Sequence, residues 1–361
     1  MINAVLLFGG RSAEHEVSIL SARSVANAAP KERISITPVC IARDGRFVTP
    51  ERSARVLAGE KKAAVGDLDF SFEAWVRKAA PDIVFPIIHG TGGEDGSLQG
   101  YLEMLGLPYV GSGVTASAVG MDKVHMKQAF AAAKLPMVDY VPVVEHEWRH
   151  ERERVTRAVA NALRLPYFVK PANSGSSVGV KKVKNDAGLA DAIEHAFRFD
   201  EKVLVERGVD AREIEVAVLG NEKPEASVPG EIVAGGDFYD YTDKYVDTKA
   251  QLVIPAKLTG DRSDELRRMA LAAFKAIGAS GYSRVDFFLE RGTNRLYVNE
   301  INTIPGFTNI SMYPKLWEAT EVKYPRLIER LITLGIERAQ RRKARTESTM
   351  KWFEDVKPLL G

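Results

Sequence analysis

The sequence lacks the features that mark several classes of protein. Its 361 residues include a single cysteine, Cys40, which excludes a disulfide scaffold and a cysteine-based zinc site and fits a reducing compartment. No apolar stretch approaches the roughly 18 residues that a membrane span needs. The N-terminus has neither the basic start nor the cleavage site of a signal peptide. We therefore expect a cytoplasmic protein with no membrane partner.

The sequence also has little net charge. Its 50 Lys and Arg residues against 48 Asp and Glu residues leave a formal charge of +2. Such a close balance of charge argues against a protein that binds a polyanion, and we therefore expect no nucleic-acid partner. The basic run 341–345 is interpreted as a solvated tail. With 45% hydrophobic residues, the chain is too apolar for general disorder, and its length predicts two or three globular domains.

What the sequence does contain is an alternation of short apolar strands and helices. Predicted strands at 2–8, 34–41 and 82–89 are separated by helical segments, a pattern typical of a parallel sheet with covering helices. A second α/β unit with a Gly/Ser loop follows, with a predicted strand at 140–144 and a predicted helix at 151–163. A strand-rich third unit begins near Val209 and ends in a helix predicted over 325–340. We predict domains at 1–115, 116–208 and 209–361.

One loop carries residue types that bind phosphate. The segment from Lys170 to Val180, KPANSGSSVGV, places Gly, Ser and Asn between two predicted strands. Backbone N–H groups and hydroxyls in such a loop can bind phosphate oxygens, and Lys170 would reach an α- or β-phosphate. The segment does not match the GxxxxGK[ST] P-loop pattern. The alternative is an ordinary mobile hairpin.

A second feature is a predicted hairpin over residues 282–302 with a three-residue loop. Its register places Asp286 opposite Glu300 and Arg284 opposite Asn302, all on one side of the sheet. Two facing carboxylates repel each other. Together with the Asn302 amide oxygen they form an all-oxygen set suited to Mg²⁺. The alternative is a partly solvated polar face.

Two glycine turns follow predicted strands, where α/β proteins bind ligands. The first, GGRSAEHE from Gly9, lacks the GxGxxG pattern, and its Glu14 is better placed to hold an ammonium group than a pyrophosphate. The second, HGTGGEDG, begins at His89. Each could be only a tight turn.

One motif suggests a different function. Residues His146 to His150 read HEWRH and match the HExxH pattern of zinc proteases. Zinc would need both histidines on one helix face in a cleft and a third ligand. We interpret the motif as the exposed start of a helix, with a zinc protease as the alternative.

Seven motifs, taken in order, resemble the D-alanine–D-alanine ligase family of the ATP-grasp superfamily. They extend from Gly9 to Thr308 and read GGRSAEHEVS, HGTGGEDGSLQGYLEMLGLPYVGS, MDKVHMK, FVKPANSGSSVGV, FYDYTDKY, SRVDFF and NEINTIPGFT. The resemblance implies a three-domain α/β fold: an N-terminal Rossmann-like, pre-ATP-grasp parallel-sheet domain followed by two α+β ATP-grasp domains. It implies ATP-dependent ligation of two D-alanines through an acyl phosphate for peptidoglycan precursor synthesis, giving ADP and phosphate.

The resemblance also implies a role for each matching residue. The residues that would contact ATP are Lys123, Lys170, Ser176, Ser177, Glu206 and Glu213. Two Mg²⁺ or Mn²⁺ ions would be held by Asp286, Glu300 and Asn302. Arg284 and the Gly306 N–H would stabilise an oxyanion. Glu14 would bind the ammonium of the first D-alanine, with His89 nearby, and the carboxylate of the second would meet Ser311 and Lys244.

The segment 235–249 resembles the mobile ω-loop of the family. Tyr245 in this loop would join Ser176 and Glu14 in a hydrogen-bonded triad, and a Tyr there favours an amine as the second nucleophile. Three alternatives stay open: a D-alanyl-D-lactate ligase, a D-alanyl-D-serine ligase, and a non-catalytic ATP-binding regulator. The family also implies a homodimer.

Overall fold

The computed structural model describes residues 1–233 and 251–357. Within them, the strands form three sheets. The strands are β1 Ile2–Gly9, β2 Ile34–Ile41, β3 Ile83–Pro86, β4 Tyr140–Val144, β5 Tyr167–Pro171, β6 Lys181–Val183, β7 Lys202–Arg207, β8 Ala211–Gly220, β9 Glu225–Ala226, β10 Gly230–Val233, β11 Gln251–Val253, β12 Gly281–Glu290 and β13 Leu296–Asn302.

The helices cover these sheets and connect them. They are α1 His15–Ala28, α2 Pro50–Leu57, α3 Phe72–Ala79, α4 Ser97–Met104, α5 Val114–Met121, α6 Lys123–Ala132, α7 Glu145–Ala162, α8 Leu189–Ala196, α9 Gly260–Ala276, α10 Met312–Glu318 and α11 Tyr324–Val356. Within the described residues, no helix is both long enough and apolar enough to cross a bilayer.

The first sheet has the predicted parallel arrangement. Its strand order is β2-β1-β3, and both neighbours run parallel to β1. β1 is buried from Ala4 onward because helices pack against both faces of the sheet. The turns that end at Gly10 and begin at His89 therefore meet at the carboxyl edge of this sheet, as expected for parallel strands.

The second sheet is antiparallel, with the order β4-β7-β5-β6. Helices α7 and α8 cover one of its faces with Trp148, Val159 and Ile193, which are fully or almost fully buried. Helix α7 begins before the predicted start at 151 and changes direction at Glu151, whose φ and ψ are not helical. Trp148 is buried, and its indole N–H donates to Glu194 at 2.8 Å. These contacts pack the turn before Glu151 against the rest of the domain.

The third sheet is also antiparallel and joins β11-β10-β8-β12-β13, with β9 on β8. One face packs against α9. The other face contributes Leu219 and Tyr282 to a core that also contains Phe8 of β1 and Leu331 of α11. The first and third units therefore share one hydrophobic core, and this places the carboxyl edge of the first sheet beside the third sheet.

Helix α11 is longer than the predicted helix over 325–340. It runs to Val356, but its last buried residue is Gly335. Four of the five residues of the basic run 341–345 are exposed, as the interpretation as a solvated tail expects, and the run is helical. The reason is local: from 336 to 356 there is no Gly or Pro, and Arg, Lys, Glu and Ala all favour a helix.

Candidate active site

The three units surround one cleft of about 700 Å³. Its walls come from the turns after β1 and β3, the loop between β5 and β6, strands β8, β12 and β13, and the segment after β13. The predicted site residues that line it are Glu14, His89, Lys123, Lys170, Ser176, Ser177, Glu213, Arg284, Asp286, Glu300, Asn302, Gly306 and Ser311. Glu206 lies behind the wall. Lys244, Tyr245 and the rest of the segment 235–249 lie outside the described residues.

The predicted pairing of β12 and β13 is confirmed at the site. Asp286 pairs with Glu300, and Arg284 pairs with Asn302. Asp286 also lies opposite Glu215 of β8. Three carboxylates on three neighbouring strands thus form a row across the sheet. Glu215 is not among the predicted residues, since finding it requires the pairing of two strands that are far apart in sequence.

The hairpin reaches this register differently from the prediction. The Glu290 N–H donates to the Arg295 carbonyl at 2.9 Å, so the loop has four residues instead of the predicted three. A bulge then leaves Asn299 without a partner in the β12–β13 register. The two deviations cancel, and the predicted pairs are restored at the cleft. Bulges occur often beside active sites because they redirect side chains.

Arg284 makes two ion pairs at the floor of the cleft. Its Nε and Nη2 donate to the two oxygens of Asp286, both at 2.7 Å, and Nε lies 2.9 Å from Oε2 of Glu215. The Asn302 amide nitrogen donates to the same Asp286 at 3.0 Å. Burial opposes the charge of Arg284, but Asp286 and Glu215 outweigh it and raise its pKa. The guanidinium is therefore a permanent cation.

The chemistry of the donor set fits a divalent cation that is shared with substrate. Asp286, Glu300 and Asn302 offer hard oxygen ligands on one face of the sheet. In the described part of the chain, no group of three or more His, Cys, Asp or Glu side chains is arranged to hold a metal ion. A cation here would therefore need oxygens from a bound ligand to complete its coordination, as Mg²⁺ at a phosphate does.

The loop between β5 and β6 holds two serines in an unusual backbone conformation. Ser176 and Ser177 have φ angles of 48° and 60°, a left-handed conformation that costs energy for residues other than glycine and often marks functional sites. Lys123 supports the loop by donating from Nζ to the Ser174 carbonyl at 2.6 Å. Lys123 and Lys170 thus both line the cleft beside the loop.

A hydrogen bond joins this loop to the first unit. The Ser176 hydroxyl donates to Oε1 of Glu14 at 2.5 Å, across 162 residues of sequence. Glu14 is almost fully buried. Two members of the implied triad are therefore in contact, and the third, Tyr245, lies outside the described residues.

His89 and Glu94 hold the segment that follows β13. The His89 Nδ1–H donates to the Ile304 carbonyl at 2.9 Å, and the Ile304 N–H donates to Glu94 at 3.0 Å. The Ser21 hydroxyl lies 2.9 Å from His89 Nε2. Burial lowers the pKa of His89, so the ring is neutral and Nε2 accepts. Glu94 was not predicted, and together with His89 it fixes the backbone that leads to Gly306.

Glu94 predicts a dependence of stability on pH. Burial and the nearby Glu14 raise its pKa from 4.5 to about 8 against the opposing N–H groups of Gly90 and Ile304. The folded state therefore holds this proton where the unfolded state has lost it. We expect the wild type to lose stability, relative to Glu94→Gln, by up to about 1.4 kcal/mol per pH unit between pH 5 and 8.

The measurement is urea unfolding of both proteins across that pH range. The difference between their unfolding free energies isolates the titration of Glu94 from that of all other groups. Parallel curves for the two proteins would show that Glu94 is ionised throughout, and would contradict the raised pKa.

Glu206 lies between two lysines instead of on the cleft wall. Its oxygens are 2.6 Å from Nζ of Lys127 and 2.6 Å from Nζ of Lys170. Burial alone would raise the pKa of Glu206, but the attraction of Lys127 and Lys170 lowers it to about 2. Lys127, which is almost fully buried, was not predicted, because a single lysine on a helix gives no signal of its partner.

The HExxH motif lies on the first turns of α7 and does not line the cleft. The rings of His146 and His150 are 4.4 Å apart, and Nδ1 of His150 bonds the backbone carbonyl of His146 at 2.8 Å. The zinc-protease alternative therefore has no support from the position of these residues.

The parallel first sheet, the two antiparallel sheets and the phosphate-type loop over an acidic and cationic floor define the ATP-grasp class of ligases. Models of the D-ala D-ala ligase N-terminus and C-terminus match residues 3–112 and 129–333. A D-alanine--D-alanine ligase of Halothermothrix orenii is 48% identical over 335 residues, which cover 92% of this chain and 97% of the relative. One from Chloroherpeton thalassium is 45% identical and covers 94% and 98%.

Solved structures agree with these relatives. The D-alanine-D-alanine ligase from Coxiella burnetii has a TM-score of 0.82 at 36% identity and covers 97% of this chain and 99% of that one. The VanG D-Ala:D-Ser ligase from Enterococcus faecalis has a TM-score of 0.81 at 31% identity and covers 92% and 99%. The chain belongs to the D-alanine–D-alanine ligase family, as the resemblance predicted.

Proposed function

We propose that the protein joins two D-alanine molecules in a reaction driven by ATP, giving D-alanyl-D-alanine, ADP and phosphate. The observation that carries this function is the Glu14–Ser176 hydrogen bond, which brings the ammonium-binding carboxylate of the first unit to the phosphate-type loop. Arg284, Asp286 and Glu300 lie in the same cleft. An amino-acid substrate and a nucleoside triphosphate can therefore bind side by side in this cleft.

In the first step, a carboxylate oxygen of one D-alanine attacks the γ-phosphorus of ATP. The bond from phosphorus to the ADP oxygen breaks and an acyl phosphate forms. Lys123, Lys170 and the backbone of the Ser176 loop neutralise and orient the phosphates, while Glu14 holds the substrate ammonium. Phosphoryl transfer depends mainly on such positioning and charge neutralisation.

In the second step, the amine of another D-alanine attacks the acyl carbon and loses a proton. This attack forms the carbon–nitrogen bond and gives a tetrahedral oxyanion, which Arg284 and the Gly306 N–H stabilise. The carbonyl then re-forms as the carbon–oxygen bond to phosphate breaks, and phosphate leaves. We assign the second carboxylate to Ser311, whose hydroxyl oxygen accepts from the Thr308 N–H at 3.0 Å, and to Lys244. The segment 235–249 with Tyr245 would exclude water from the acyl phosphate.

We assign Asp286, Glu300 and Asn302 to two Mg²⁺ or Mn²⁺ ions, and Glu206 and Glu213 to the adenosine part of ATP. Divalent cations, when bound, neutralise phosphate oxygens and so favour phosphoryl transfer. Glu213 lines the cleft. Glu206 would have to give up its ion pair with one of its two lysines in order to accept a hydrogen bond from the adenine amine. We also propose that the protein is cytoplasmic and supplies precursors for peptidoglycan synthesis. We propose that it forms a homodimer, which sedimentation would test.

The choice of second substrate needs its own experiment, because a similar solved structure is a D-Ala:D-Ser ligase. Purified protein with ATP, Mg²⁺ and D-alanine is supplied with D-serine or D-lactate, and the products are separated by mass. We expect D-alanyl-D-alanine to dominate. Predominant mixed dipeptide or depsipeptide would assign the protein to one of the alternatives.

The Glu14–Ser176 bond predicts a non-additive pair of substitutions. Glu14→Gln and Ser176→Ala should each lower kcat/KM for D-alanine by about 10- to 100-fold. The kcat/KM of the double variant should be only slightly lower than that of the less active single variant. The reason is that both variants weaken the same contact: Ser176→Ala removes the donor, and Glu14→Gln replaces the charged acceptor by a neutral one. Phosphate release measures the effect, with exposed Glu16→Gln as the control. Effects that multiply in full would contradict a shared contact.

A further inference from the structure

We propose that Glu215 is a positioning residue that keeps Arg284 in place when Asp286 binds a divalent cation. The inference rests on the proposed function and deepens it, since Arg284 is the oxyanion-stabilising side chain of that reaction. It concerns a residue that the sequence motifs do not single out.

A cation bound by Asp286 would compete with Arg284 for this carboxylate. Both of its oxygens accept from Arg284, at 2.7 Å each. A cation bound by Asp286 needs the same oxygens and also repels the guanidinium. Arg284 must then yield these bonds at least in part, and without another anchor the long side chain would be free to leave the oxyanion position.

Glu215 is placed to supply that anchor. Its Oε2 is 2.9 Å from Nε of Arg284, and its side chain is only 8% exposed. Strand β8 fixes its backbone between β10 and β12, since Glu215 pairs with Gly230 on one side and Asp286 on the other. Glu215 and Asp286 both form ion pairs with Arg284.

The order of charges across the sheet also supports a role for Glu215 in anchoring Arg284 and a role for Asp286 in binding a cation. Glu215, Asp286 and Glu300 follow one another on β8, β12 and β13, and Arg284 contacts the first two. We assign the Asp286–Glu300 side of the row to the cations, in line with the proposed function. Opposite Arg284 on β8 stands Ala217, which offers no polar side chain, so Glu215 is the neighbour on β8 that can hold the guanidinium.

The test uses Glu215→Gln, which keeps an acceptor oxygen but removes the charge. With the whole guanidinium charge directed at Asp286, Mn²⁺ must displace it at greater cost. We expect the Kd of Mn²⁺ in the presence of ADP, measured by electron paramagnetic resonance, to rise about tenfold. We expect kcat to fall about 10- to 100-fold while KM for D-alanine changes much less. Glu215→Asp should recover part of both losses.

The control is Glu231→Gln, in which another buried carboxylate of the same sheet loses its charge. Glu231 pairs with Arg212 through two hydrogen bonds of 2.8 and 2.6 Å. If the Glu215 variants change Mn²⁺ binding and kcat no more than this control does, the inference is wrong. Mn²⁺ binding with ADP does not depend on ligation, so an inactive wild type would count against the proposed function and leave this readout intact.

Discussion

Replacing Glu300 by Gln is expected to reduce turnover by about a thousandfold or more while leaving the fold intact. Glu300 lies opposite Asp286 and lines the cleft. Its loss removes one of the two carboxylates assigned to the cations, so the charge of the transferring phosphoryl group is no longer neutralised. Steady-state phosphate release with saturating ATP, Mg²⁺ and D-alanine measures the loss.

The matched control is Glu290→Gln in the same hairpin. Glu290 pairs with Arg207 at 3.1 Å and does not line the cleft, so this variant should keep nearly full turnover. Both variants should unfold at similar urea concentrations. Turnover of the Glu300 variant within tenfold of the wild type would contradict the assignment of cations to this pair.

The second large effect is expected from Glu206→Met, which should destabilise the folded state by about 3–5 kcal/mol. Glu206 neutralises Lys127, and both side chains are 2% exposed. Without the carboxylate, the ammonium of Lys127 stays buried with no opposite charge from Glu206. Urea unfolding at neutral pH, where the carboxyl with a pKa of about 2 is fully ionised, gives the change in unfolding free energy.

A double variant separates the buried charge from the lost volume. Lys127→Met together with Glu206→Met replaces the pair by apolar side chains, and such replacements are often close to neutral. The double variant should therefore be more stable than Glu206→Met alone. If it is less stable, the loss comes from packing and not from an uncompensated lysine.

How far the site can be predicted from sequence depends on the distance between partners along the chain. Asp286 and Glu300 belong to one hairpin, so alternation and a short loop suffice to pair them, even though the loop length and the bulge at Asn299 were not foreseen. Glu215 acts on Arg284 from a strand about 70 residues away in sequence, and Glu94 acts on Ile304 of another unit. Their partners depend on strand order and on the shared core, which no local pattern states.

The bounds of the helices and strands likewise depend partly on local sequence and partly on tertiary contacts. Strands β2 and β4 have the predicted bounds because apolar runs between turn residues define them. Helix α11 extends past its predicted end because a helix of good formers needs no buried face to continue. The early start of α7 depends on burial of Trp148, a tertiary contact. Local propensity therefore accounts for most of these bounds, and tertiary packing within the second unit accounts for the start of α7.

The most direct test of the proposed ligase activity is the stoichiometry of the reaction with purified protein, ATP and Mg²⁺. Phosphate and dipeptide are measured together with D-alanine or with L-alanine as the amino acid. We expect one D-alanyl-D-alanine for each phosphate released, and no release above background with L-alanine. Absence of D-alanine-dependent phosphate release, or release without dipeptide, would contradict it.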